Sequence, residues 1–183
     1  GPQEILLRVM ASGICGSDVM EWYRVERAPL VLGHELAGEV VKIGSEVDRF
    51  GEGDRVVVTH HVPCNSCLYC LSGHHTVCDT LRQTNFDPGG FSEFIRVPAI
   101  NVDRGVFKVP DDVSFEKASF TEPLACVLRG QQRANLEAGQ SVIVLGSGLT
   151  GLLHINLARI LGAGRIIATD MVNYRLQAAL QFG

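Results

Sequence analysis

Aromatic residues are scarce in this 183-residue sequence, 7% of positions with a single tryptophan, and charged residues make up only 20%. The formal net charge is −4, and no basic run is interleaved with aromatics. Nucleic acid and anionic membrane surfaces are recognised through a positive footprint, so this balance argues against either as a main partner. An unbroken apolar span is missing too. The one stretch that could mimic a membrane segment, Val142 to Ala168, is interrupted by His154, Asn156, Arg159 and Arg165 and studded with glycines, so a buried strand–helix–strand accounts for it better than a bilayer. The opening residues, GPQEILLRVMASG, lack the basic start, apolar stretch and small-residue cleavage site of a signal peptide. With cysteines that read as available thiols, this gives the cytoplasm as the expected compartment. There is neither an internal repeat nor a low-complexity segment.

What is present is enough apolar residue, 46%, for a core, in a length that suits one large domain or two small ones. Two compositional halves are visible. Up to about Pro110, β-type runs (Ile5–Ala11, Leu36–Ile43, Arg55–Thr59, Phe91–Val97) alternate with glycine turns, which reads as a small barrel-like or sandwich-like β domain. From Ser114 on, the pattern turns helical and then β-α-β. A helix from about Pro123 to Ala134 precedes a strand at Ser141–Leu145, a helix at Leu149–Leu161, a strand at Arg165–Thr169 and a helix at Asn173–Phe182.

Four cysteines, Cys64, Cys67, Cys70 and Cys78, lie in the run CNSCLYCLSGHHTVC. Cys-x-x-Cys steps followed by a seven-residue return can wrap four thiolates around one ion, and Zn²⁺ accepts a closed tetrahedron of sulfurs, so the lobe 64–78 reads as a structural zinc site. An iron–sulfur cluster fits less well, because the bacterial ferredoxin run closes with a three-residue gap and Cys-Pro. Disulfides fit poorly because thiols so close in sequence bridge badly. His60, His61, His74 and His75 flank the lobe and, with four thiolates at hand, are expected to be solvated or to support the ligands. Cys126, the sixth cysteine along the chain, has helix packing as its default.

The β-α-β half carries a second motif. Val142-Ile-Val-Leu runs into Gly146-Ser-Gly148-Leu149-Thr150-Gly151 and then a helix, which is G-x-G-x-x-G in its required strand-to-helix setting. Gly146 allows the tight turn, Gly148 lets backbone approach a pyrophosphate, and Gly151 lets helix and strand pack closely. Asp170 ends the next strand, nineteen residues past Gly151, where a carboxylate accepts bonds from ribose hydroxyls and repels a 2′-phosphate, so NAD is expected rather than NADP. The plain alternative is a doubly wound turn with a helix-capping Asp.

A third set is weaker on spacing. Cys15, the His34-Glu35 pair and Glu122 could each be ordinary: a small buried thiol, a satisfied core histidine, an acid at a helix start. Their positions along the chain do not by themselves join them into one site.

The segments ICGSD at 14–18, GHELAGEVVKIGSEVDRFGEGDRV at 33–56, the cysteine lobe, GGFSEFIRVP at 89–98, EPLAC at 122–126 and VLGSGLTG at 144–151 together resemble the zinc-dependent medium-chain dehydrogenase family, nearest in style to its polyol, secondary-alcohol and threonine dehydrogenases. The resemblance runs nearly end to end. It implies an α/β plus β fold, with a GroES-like β domain over 1–121 and the first part of a Rossmann dinucleotide-binding domain over 122–183. It also implies a catalytic zinc held by Cys15, His34 and Glu35, with Glu122 as fourth ligand or bonded to a zinc-bound water. Two zinc ions per subunit follow, one catalytic and one structural. Ser17 would bond the substrate hydroxyl and accept its proton, Asp170 would bind the adenosine ribose, and Arg175 would lie on the adenine side. Zinc with one thiolate and one carboxylate is formally neutral, and a second carboxylate makes the site a poorer Lewis acid; Glu122 is therefore expected to bind at rest and yield to substrate. The implied activity is NAD-dependent oxidation of a secondary alcohol or polyol-like substrate. A threonine-type oxidation of a β-hydroxy amino acid and a non-catalytic NAD-binding zinc protein stand as alternatives. A homo-oligomer, dimer or tetramer, is implied for the full-length form.

Two departures stand out. Many family members carry a proton-relay histidine where this chain has Met20, which cannot carry a proton. The proton must then leave by water, the cofactor ribose or Glu35, or the reaction differs. Met20, Tyr23 and Asn85–Phe86 are the candidates near the pocket; Met20 with Trp22 and Tyr23 after it would favour a bulkier or less hydroxylated substrate than a linear polyol, a core or interface role for the two aromatics standing as the alternative. Secondly, the sequence stops at Gly183 after two Rossmann strands, whereas a doubly wound fold needs more to bury both sheet faces. The segment is therefore read as a fragment, expected to be inactive alone.

Overall fold

Ile5 to Gly13 alternate buried and more exposed side chains and form a nine-residue strand, β1. In the computed structural model, which describes residues 1–183 throughout, β1 pairs antiparallel with β2, Glu35–Ile43. The register runs from Ile5 opposite Ile43 to Gly13 opposite Glu35, with irregularities between Leu6 and Leu7 and between Val9 and Ala11. Between the two strands lie a short 3-10 turn, Gly16–Val19, and the single-turn helix α1, Glu21–Arg24. Next come β3, Arg55–Val58, the cysteine lobe with α2, Leu68–Leu71, and α3, Asp79–Gln83, and then β4, Phe94–Val97. Helix α4, Ala99–Gly105, leads into β5, Val106–Lys108, and α5 is a turn at Phe115–Ala118. The antiparallel sheet has the order β4-β1-β2-β3-β5.

Because side chains alternate across a strand, this sheet has two apolar faces. Ile5, Leu7, Leu36, Val40, Val56, Val58, Ile95 and Val97 pack in one cluster, and Ala37, Val57, Val109 and Ala118 in the other. Fully burying a Val, Leu or Ile side chain is worth about 1.5–3 kcal/mol, so the first cluster is the main source of stability here. The strand expected from Phe91 starts only at Phe94. Phe91 N donates to Leu32 O (2.8 Å) and Gly90 N to Gly33 O (2.8 Å), so this segment is tied to the turn ahead of β2 instead of joining the ladder.

Helix α6, Thr121–Arg133, spans the division between two compact units, Gly1–Glu122 and Pro123–Gly183. In the second unit β6, Ser141–Leu145, and β7, Arg165–Thr169, pair in parallel, joined by α7, Leu149–Ile160, and followed by α8, Asn173–Phe182. Ile155, Ala158 and Ala179 are buried, while Leu145 is 83% exposed and Ile143 64%. A parallel sheet is ordinarily covered on both faces; this pair is not. No helix is long and apolar enough to cross a membrane.

Candidate active site

Cys15 leaves the end of β1 as the N-cap of the Gly16–Val19 turn. Its sulfur accepts from Ser17 N (3.5 Å), and its own N–H donates to Asp18 Oδ2 (3.0 Å). These reciprocal bonds hold the thiol against rotation of the turn. His34 and Glu35 enter β2 directly after Gly33, which sits at φ +91°, where an added Cβ would also meet Phe91 N. The β1–β2 register, with Gly13 opposite Glu35, brings the two segments together. One ligand atom each from Cys15, His34 and Glu35 lies within 4.8 Å of the others.

The chemistry of this donor set suits zinc: one sulfur, one imidazole nitrogen and one carboxylate oxygen. Glu35 is 3% exposed, and burial pushes its carboxyl up, against the opposing influence of His34 and a bond from Cys15. A buried carboxylate is costly unless a cation faces it, and a metal ion would be that cation. His34 Nδ1 lies 3.5 Å from Asp18 Oδ1, which leaves Nε2 as the nitrogen available to a metal; a carboxylate on the far ring nitrogen is a common support for a metal-binding histidine. Asp18 also pairs with Arg24 Nη2 (3.2 Å). Glu122 stands half-buried in the first turn of α6.

His34 also lines a cavity of about 410 Å³, together with Ser17, Met20, Trp22, Tyr23 and Asn85. Ser17 Oγ accepts from Arg24 Nη2 (2.9 Å) and Ser17 O from Arg24 Nε (2.8 Å), so an arginine positions this hydroxyl. Phe86, paired with Asn85 as a pocket candidate, is instead buried in the sheet core. His60 and His61 also line the cavity, His61 remaining exposed and His60 half-buried, while His74 is exposed and His75 half-buried beside the cysteine lobe. The His60 ring centroid is 4.7 Å from that of His34, and burial drives its pKa down to about 3. The neutral ring leaves Nδ1 buried without a partner.

Cys64, Cys67, Cys70 and Cys78 also converge within 4.8 Å. The sulfurs of Cys67 and Cys70 are 3.5 Å apart, Cys64 and Cys78 3.7 Å, Cys64 and Cys70 3.9 Å. Four sulfurs about 2.3 Å from a tetrahedral ion sit about 3.8 Å from one another, so the residues fit zinc without rearrangement. Backbone N–H groups of Ser66 and Cys67 point at Cys64 Sγ (3.5 and 3.2 Å), the Ser66 amide being foremost in pulling that thiol down to about 5. Burial pushes the Cys70 thiol up to about 12, an arrangement in which a cation is needed before all four ionise. Cys126 is exposed on α6, beside the buried stripe of Pro123, Val127 and Gln131.

In the second unit the turn after β6 has Gly146 at φ +93°, and a Cβ on Gly151 would collide with the Gly146 carbonyl. Gly148 is the N-cap of α7 with no side-chain cap, so the amides that follow, through Leu149 and Thr150, face outward as a phosphate cradle would require. Asp170 Oδ2 accepts from Ser147 N (2.9 Å) and Oδ1 from Val172 N (2.9 Å); the Ser147 amide is foremost in holding this carboxyl below its usual range. Arg175 Nη1 lies 3.7 Å from Asp170 Oδ2, so loop, acid and arginine form one constellation.

Residues 1–111 match the family model of the alcohol dehydrogenase GroES-like domain. Sorbitol dehydrogenase of Bacillus subtilis (strain 168) is 38% identical over 98% of this chain and 52% of its own length. L-threonine 3-dehydrogenase of Francisella philomiragia is 35% identical over 100% of this chain and 53% of its own. Among solved structures, a zinc-binding dehydrogenase by assignment, from Sinorhizobium meliloti 1021 and bound to NADP, superposes with a TM-score of 0.87 at 33% identity, covering 100% of this chain and 53% of that one. The chain thus spans about half the length of the curated relatives it matches.

Proposed function

This chain belongs to the zinc-dependent medium-chain dehydrogenase family, carrying its alcohol dehydrogenase GroES-like domain, and from that premise we propose that the protein oxidises a secondary alcohol or polyol-like substrate, passing a hydride to NAD. The observation that carries the proposal is that His34 belongs both to the Cys15–His34–Glu35 cluster and to the wall of the 410 Å³ cavity. A metal ligand that also faces a pocket of substrate size is what an open, catalytic site requires.

When bound, zinc would supply Lewis-acid polarisation of an alcohol oxygen and the nicotinamide would supply the hydride acceptor. Cys15, His34 and Glu35 would supply three ligands, with Glu122 as a fourth at rest that substrate could replace. Asp18, 3.5 Å from His34 Nδ1, would hold the His34 ring with Nε2 available to the metal. Ser17, held by Arg24, offers its remaining lone pair to the substrate hydroxyl proton. That proton then passes to water, the cofactor ribose or Glu35, because Met20 cannot carry it. Cys64, Cys67, Cys70 and Cys78 hold a structural ion. Gly146, Gly148 and Gly151 with the Leu149 and Thr150 amides take the pyrophosphate, Asp170 takes the adenosine ribose, and Arg175 flanks the adenine. A homo-oligomer in the cytoplasm is part of the same proposal.

The likeness to an L-threonine 3-dehydrogenase favours a second reading, oxidation of a β-hydroxy amino acid. NADH formation by the full-length protein against secondary alcohols, polyols and β-hydroxy amino acids, with and without chelator, separates the two. Chelator-sensitive turnover of one class supports the proposal and names the substrate type. Zinc bound without turnover of any class favours a non-catalytic NAD-binding protein.

A further inference from the structure

The charged residues in the cavity wall, histidines aside, are Asp18, Arg24 and Arg27. Arg24 is engaged: Asp18 neutralises it at 3.2 Å, and it donates to both oxygens of Ser17. Arg27 is differently placed. It has no carboxylate within ion-pair distance, although Glu21 and Glu26 are its neighbours in sequence, and neither of these lines the cavity. Its Nη1 donates to Tyr23 Oη (2.9 Å), and its guanidinium carbon lies 4.3 Å from the Tyr23 ring centroid. The guanidinium is thus stacked and tethered by one N–H while the rest of its fork stays available. The wall therefore carries one positive charge in excess, in a chain whose net charge is −4.

A planar fork of N–H donors fixed in orientation is matched to two oxygens of a carboxylate or phosphate. We propose that Arg27 binds an anionic substituent of the substrate, a phosphate monoester or a carboxylate, while the carbinol carbon lies at Ser17 and His34. The inference rests on the dehydrogenase reading of this cavity and narrows it: the substrate is a charged secondary alcohol and not a free polyol. Tyr23 then acts as a positioning residue, stacking Arg27 and bonding it through its hydroxyl.

The test uses the full-length zinc-loaded protein and three matched probes: a polyol, its terminal phosphate monoester and the corresponding hydroxy acid. Binding is read by calorimetry and turnover by NADH formation. One anionic probe is expected to exceed the neutral polyol in affinity and kcat/KM by about 10- to 100-fold, the range of a charge-assisted bond, and the winner identifies phosphate or carboxylate. Arg27→Gln should collapse this ratio through KM, Arg27→Lys should restore part of it, and Arg82→Gln, outside the cavity, should leave it in place. A ratio near one in the wild type, or one that survives Arg27→Gln, overturns the proposal. If none of the probes is turned over yet the calorimetric ratio collapses in Arg27→Gln, the anion site stands and the dehydrogenase reading falls.

Discussion

Replacing Asp18 by Asn removes one charge and almost no volume from the support of the proposed catalytic zinc. The wild-type carboxylate accepts from Cys15 N at 3.0 Å, pairs with Arg24 at 3.2 Å and faces His34 Nδ1 at 3.5 Å, with its side chain 2% exposed. An amide can keep the Cys15 bond through its oxygen. It cannot balance Arg24 or hold the His34 ring through a charged contact. Losing such a support costs about 10- to 100-fold in metal affinity or activity, equivalent to about 1.4–2.7 kcal/mol. Stability should fall as well, by less than the 3–5 kcal/mol of a fully buried broken pair, because Arg24 keeps 18% of its side chain exposed. The assay is competition for zinc by a chromophoric chelator. Two binding phases are expected, and only the phase assigned to Cys15–His34–Glu35 should weaken, with the cysteine lobe as internal control. Wild-type affinity in both phases together with wild-type turnover would refute the argument that Asp18 orients His34.

Three further expectations follow from the same geometry. Cys78→Ser should remove the lobe's ion, lowering metal content by about one per subunit and the thermal midpoint with it, because a structural site couples binding to folding; elemental analysis beside calorimetry checks this. Asp170→Ser should raise KM for NAD about 10- to 100-fold, the cost of losing bonds to a charged acceptor, and should narrow the preference for NAD over NADP, read from paired steady-state assays. His60 binds its proton only near pH 3 when folded, against 6.5 ordinarily, so the unfolded chain holds more protons between those values. Stability should therefore be full above pH 6.5 and fall as pH drops toward 3; His60→Gln should flatten that slope in thermal midpoints taken against pH.

The features legible in the sequence are those whose partners are local. The cysteine lobe closes within fifteen residues, and the glycine loop is one turn, so spacing alone anticipates both. The strands Ser141–Leu145 and Arg165–Thr169 and the helix Asn173–Phe182 have the expected bounds because their apolar runs end at clear turn signals. Cys15 and His34 are nineteen residues apart, and only the β1–β2 register joins them, a tertiary fact that spacing does not carry. Arg24 and Arg27 lie on a four-residue helix and the turn after it, too short for any periodicity to show which way they face. His60 and His61 lie close in sequence to Cys64, yet they follow β3, and the end of that strand delivers them to the cavity. Strand β5 has three residues and pairs with β3 about fifty positions earlier, so its ladder leaves no local signature.

The central claim is that Cys15, His34 and Glu35 hold a catalytic zinc separate from the ion of the cysteine lobe. Zinc content of the purified full-length protein, measured beside turnover for the wild type and Cys15→Ser, tests it most directly. The account predicts about two ions per subunit falling to about one, with turnover lost and the fold retained. One ion in the wild type, or two ions and undiminished turnover in Cys15→Ser, would contradict it.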